Sequence, residues 1–168
     1  MMTDITIEID YGEGFERQIK SGTADPIVVM SVYIGGKEVK KADSFMSRTI
    51  AELLEAVDSI FAGEKQIIEY TGGPTYLVFE PRDEETIFVT GCGGYEAAHN
   101  PEERLSIDTT AICDKRAWVT ELVREAEEYR EKILNLNPEL EDDMFLQRIQ
   151  ASIANANRYL DESENKPK

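Results

Sequence analysis

The chain has 168 residues, 41% of them apolar and 31% charged, enough for one ordinary domain with its own core and no covalent staples. No run approaches the ~18 consecutive apolar residues of a membrane-spanning helix, and 34 acidic against 18 basic residues leave a formal charge of −16. That charge is too negative for a general binder of phosphate backbones, so neither a membrane nor direct nucleic-acid binding is expected.

In chain order, residues 3–11 alternate Ile5, Ile7 and Ile9 with Asp4, Glu8 and Asp10, the pattern of a half-buried strand. The segment begins Met1-Met2-Thr3-Asp4-Ile5, with no basic region followed by an apolar stretch, and a cytoplasmic address is the expectation. Residues 12–25 form a glycine-containing connector from which Phe15 and Ile19 can tuck onto the sheet. Pro26 opens a strand over 27–34, and Gly35-Gly36 predicts a two-residue hairpin into residues 37–39. Ser44 or Ser47 is placed to cap a helix whose stripe is Ile50, Leu53, Leu54, Val57, Ile60 and Phe61, ended by Gly63. Residues 66–71 and 75–80 flank Gly72-Gly73-Pro74 as a hairpin; residues 85–90 and 105–112 supply two further strands. Asp114 is the expected N-cap of a second helix reaching Asn135. Pro138 is expected to open a third, striped by Phe145, Ile149, Ile153, Ala156 and Leu160.

The fold class predicted is therefore α+β: an antiparallel sheet carrying one mid-chain helix and a C-terminal two-helix hairpin, in a single domain over 1–162 with a frayed polar tail at 163–168. Strands and helices do not alternate regularly, which disfavours a doubly wound nucleotide-binding fold. The strand at 3–11 could lie at an edge and pair with a second copy, so monomer and homodimer are both open.

Residues 91–103, between two predicted strands, hold most of the candidate chemistry. Gly91-Cys92-Gly93-Gly94 could cradle an anion, yet no helix is predicted just after it and the lysine of a phosphate-binding loop is absent. Cys92 with His99 would make an enzyme only if the base reached the thiol and a third group oriented it. Cys92, Glu96 and His99 hold one histidine and no paired cysteines, too little for a tetrahedral metal site; no metal and no cofactor is predicted. Cys92 and Cys113 read as reduced thiols. Trp118 lies on the stripe of its helix and reads as core. Tyr95 sits among glycines with no local partner, as an interface anchor would.

The acidity is densest in residues 64–113, with 10 acidic and 3 basic residues. Glu outnumbers Asp 23 to 11 and Lys equals Arg at 9 each, which weighs against adaptation to high salt and toward a surface matched to a basic partner. The function expected is a small acidic protein that inhibits a basic protein, such as a nuclease toxin, through Asp83, Glu84, Glu85, Tyr95, Glu96, His99, Glu102 and Glu103. Its organisation, an antiparallel sheet followed by helices, loosely resembles that of small cytosolic immunity proteins from bacterial toxin systems. The alternatives are an enzyme using the Cys92/His99 loop and a DNA mimic presenting rows of carboxylates from Glu121, Glu125, Glu128 and the stretch 139–143.

Overall fold

The computed structural model describes residues 4–73 and 75–165, and in it the chain is α+β with antiparallel strand pairs. The strands are divided between two sheets, each in chain order. β1 (Ile5–Asp10), β2 (Ile27–Ile34) and β3 (Lys37–Phe45) form the first; β4 (Gln66–Tyr70), β5 (Thr75–Pro81), β6 (Thr86–Cys92) and β7 (Thr109–Asp114) form the second. A short α1 (Phe15–Lys20) links β1 to β2, and α2 (Met46–Glu55) with α3 (Val57–Phe61) carries the chain from one sheet to the other. A five-residue α4 (Tyr95–His99) interrupts the β6–β7 connection, and α5 (Lys115–Leu136) and α6 (Met144–Asn165) complete the order.

Most elements follow from the pattern that announces them. Phe15 and Ile19 are buried, anchoring α1 on the sheet. Gly35 and Gly36 both take positive φ, 61° and 79°, which a two-residue hairpin with this twist requires. Several expectations need correction. The mid-chain helix breaks at Ala56 and has Phe45 at its N-cap position with no side-chain cap. Ser44 and Ser47 are spent elsewhere: Ser44 Oγ bonds Thr49 and Thr71, and Ser47 Oγ bonds Tyr129 Oη and donates to the Ala24 carbonyl. Residues 105–108 are a turn, because the Asp108 carboxylate accepts from the Leu105 and Gly93 N–H groups; the strand starts at Thr109. Pro138 opens a 3-10 turn, and α6 begins at Met144, where the Asp143 carboxylate accepts from the Phe145 and Leu146 N–H groups. α6 runs on to Asn165; the rest of the expected tail, 166–168, lies outside the described residues, as do Met1–Thr3 and Pro74 of the Gly72-Gly73-Pro74 turn.

One core joins both sheets and the helices. Ile7, Met30 and Val32 from the first sheet meet Leu53 and Leu54 of α2, Leu77, Phe79 and Val89 of the second sheet, and Trp118, Leu122, Ile149 and Ala156 of α5 and α6. Trp118 is fully buried, 5.0 Å from the Phe79 ring. Two glycines let β3 cross the second sheet at backbone contact. A Cβ on Gly91 would stand 1.9 Å from the Val39 carbonyl oxygen, and one on Gly72 would stand 2.4 Å from that of Asp43. The β1 edge faces α5, where the Glu121 carboxylate accepts the Ile7 N–H at 2.8 Å, an acceptor that a second strand would otherwise provide.

Candidate functional site

Alternation along β5 to β7 sends Leu77, Phe79, Ile87, Val89 and Cys113 into the main core and turns Tyr76, Val78, Phe88 and Ile112 to the opposite face of the second sheet. On that outer face a small second cluster forms. Ala97 and Ala98 of α4 cover Tyr76, Val78 and Cys92, with Ile67 packed alongside. Two small residues one after the other allow so short a helix to lie close to the strands beneath it. The loop is thus ordered structure, and a helix does start directly after Gly94.

Arg104 ties this cover down. Its Nε donates to the Ala97 carbonyl at 3.0 Å, its Nη1 pairs with the Glu80 carboxylate at 2.8 Å, and the same nitrogen reaches Thr90 Oγ1 at 3.4 Å. Lys65 adds a second tie, 3.5 Å from Glu80 and donating to the His99 carbonyl at 3.4 Å. Asn100 Oδ1 accepts the Glu102 N–H and starts the 3-10 turn that carries Glu102 and Glu103. With its backbone held, the segment projects side chains outward. Tyr95 is 60% exposed, its ring 4.0 Å from that of His99 and 6.4 Å from that of Tyr76. Leu105, Ile107 and Ile112 are 66%, 75% and 45% exposed. Glu96, Glu102 and Glu103 are exposed on the same α4 and 3-10 segment.

The structure brings Tyr95, Glu96, His99, Glu102 and Glu103 together on this face. Asp83, Glu84 and Glu85 sit elsewhere, in the β5–β6 turn, at the end of β6 opposite Cys92 and about 20 Å from it along the strand. Asp83 closes its own turn: its Oδ1 accepts from the Glu85 and Thr86 N–H groups at 2.9 and 2.8 Å, and the neighbouring Thr86 side chain together with these backbone bonds holds its carboxyl below the usual range. Glu84 and Glu85 line a groove of about 900 Å³ bounded also by Phe61, Lys115, Tyr159 and Glu162. The expected contact residues therefore occupy two surfaces.

Cys92 and His99 are not brought together. Cys92 is fully buried beneath α4, while His99 is exposed against the Tyr95 ring, and no hydrogen bond joins them among the described residues. Burial pushes the Cys92 thiol up, the reverse of the environment that activates a nucleophile. Cys113 lies in the main core, across the sheet, its thiol pushed up to about 12 by burial. Among the described residues no group of three or more His, Cys, Asp or Glu side chains is placed to hold a metal ion. Among the described residues no helix is long and apolar enough to cross a membrane. On α5 the carboxylates of Glu121, Glu125 and Glu128 converge on one guanidinium, Arg124, at 2.6, 2.9 and 3.0 Å, so they do not stand as a free row of charge.

Sequence reasoning missed Leu105 and Ile107, because the alternation of Leu105, Ile107, Thr109 and Ala111 with Ser106, Asp108 and Thr110 imitates a half-buried strand. Asp108, a residue suited to capping a turn, was the available signal. Comparison with protein-family models, with curated proteins and with solved structures returned no match.

Proposed function

We propose that this protein is a small acidic inhibitor that lays the outer face of its second sheet over a basic partner protein, most simply a toxin such as a nuclease. The observation that carries this reading is the composition of that face. Tyr95, Leu105, Ile107 and Ile112 expose large apolar surface beside Glu96, Glu102 and Glu103, in a chain of charge −16. An apolar centre with a charged rim is how protein interfaces are built: the centre supplies the contact energy, and the rim speeds encounter and rejects partners of the wrong sign. The ties of Arg104 and Lys65 hold the loop in place before any partner arrives, which lowers the ordering cost of binding.

The test is capture of a partner from the source lysate at low salt by the wild-type chain and by a Tyr95→Ala/Ile107→Ser variant. The reading expects one stoichiometric basic protein with the wild type, and its loss with the variant. Because both side chains are exposed, the melting temperature of the variant should stay within about 2 °C of wild type. Equal capture by the two proteins would overturn the assignment of this face.

A further inference from the structure

The segment from Gly93 to Asp108 leaves and rejoins the second sheet at one clasp. The Asp108 carboxylate accepts the Gly93 N–H at 2.9 Å and the Leu105 N–H at 2.8 Å, which holds the two ends together as in an Ω-loop. Its apolar attachment is small. In the cluster beneath it the sheet supplies Tyr76, Val78 and Cys92, while the segment supplies Ala97 and Ala98, side chains of one methyl each. Two methyls bury little area, and this cluster is separate from the main core. Tyr95 meets the Tyr76 ring edge-on but stays 60% exposed. Polar ties carry the rest, and they converge on one residue of β5. Glu80 pairs with Arg104 at 2.8 Å and with Lys65 at 3.5 Å, and each cation also donates to a carbonyl of α4, Arg104 to Ala97 and Lys65 to His99. The arrangement is incomplete, because Arg104 Nη2 is buried with no hydrogen-bond partner among the described residues. An N–H shut away from water without an acceptor favours any opening that wets it.

We infer that residues 93–108 form a latched flap, which lifts from the second sheet as a unit while both sheets and the long helices stay folded, and that Glu80 is its latch. A segment held by a few polar ties over a cluster of its own opens at a lower free energy than the core it covers. Lifting bares Tyr76, Val78 and the Cys92 thiol, and it carries Tyr95, Glu96, His99, Glu102 and Glu103 away from the sheet. The flap therefore sets whether the face proposed above is assembled. Its opening does not depend on that reading.

The two cysteines report the opening directly. Cys92 lies under the flap and Cys113 in the main core, and both are fully buried, so a thiol reagent reaches the first by local opening and the second by global unfolding. The test is labelling of the native full chain with N-ethylmaleimide, timed at each cysteine by peptide mass spectrometry. Cys92 should react about tenfold or more faster than Cys113. Amide exchange should likewise be faster in residues 95–104 than in α5. Glu80→Gln should speed Cys92 by about tenfold more and leave Cys113 within about twofold of wild type, since it removes a charge-assisted pair that only the closed flap makes. Lys65→Met, which removes the longer tie, should speed Cys92 by a smaller factor. Equal rates at the two cysteines in the wild-type chain, an unchanged Cys92 rate in Glu80→Gln, or equal acceleration of Cys92 and Cys113 in that variant would overturn the inference. If Glu80→Gln does not fold, the wild-type rates and Lys65→Met decide. No partner protein enters the labelling. Its failure therefore removes the flap and leaves the sheet-face reading standing, whereas failed partner capture removes that reading and leaves the flap.

Discussion

Asp83 shows how a residue that looks like part of an acidic surface can be committed to its own turn. The Thr86 side chain and two backbone N–H groups that bond its carboxyl hold it below the ordinary carboxylate value. A carboxyl depressed in the folded state adds stability above its unfolded value, about 3.9, and that stability is lost as pH falls through the lower folded value. Asp83→Asn should therefore melt below wild type at neutral pH. The gap should close as pH falls below about 4, which thermal melts across that range would reveal; a gap independent of pH would contradict the assignment. Cys92 makes the complementary point, since its neighbourhood in the sequence suggests reactivity while its burial under Ala97 and Ala98 gives it a packing role. Trp118 needed no such revision, because a lone tryptophan on an apolar helical stripe has few places to go except the core.

At the scale of elements, the glycines of the second sheet serve packing, and Gly91 the most. Gly91→Ala would drive a methyl into the Val39 carbonyl, and because both groups are backbone neither can swing aside. A loss of about 3 kcal/mol or more is expected in denaturant unfolding; a loss under about 1 kcal/mol would mean that the two sheets do not meet there. Glu121→Ala should cost about 1–2 kcal/mol by stranding the Ile7 N–H, and should raise self-association by leaving the β1 edge without its acceptor, as sedimentation would show. The strands and long helices were legible in the sequence because periods of two and of three to four residues are written along them, as in β1 and α5. The division into two sheets was not, because it depends on β3 touching Gly91 and Gly72, contacts between residues some 30 to 50 positions apart. Nor was the helix at Tyr95–His99, since five residues are too few to display a helical period and its stability comes from Arg104, Lys65 and the sheet beneath.

For the whole molecule, charge and exposed apolar surface have to be read together. A charge of −16 favours a basic partner for the inhibitor proposed above but says nothing of where such a partner would dock. The candidate face was half legible: Tyr95 and its neighbouring glutamates stood out in a long glycine-rich segment, while Leu105 and Ile107 were hidden by an alternation that the Asp108 turn overrides. Binding dominated by the apolar centre should survive moderate salt in its dissociation rate while its association rate falls, because screening acts on encounter between surfaces and far less on buried contacts. The most direct measurement is amide hydrogen exchange on the purified complex with the captured basic partner, compared with the free chain. Slowed exchange concentrated in residues 93–112 is the result this account predicts. Protection on α5 and α6 with none in residues 93–112 would contradict it.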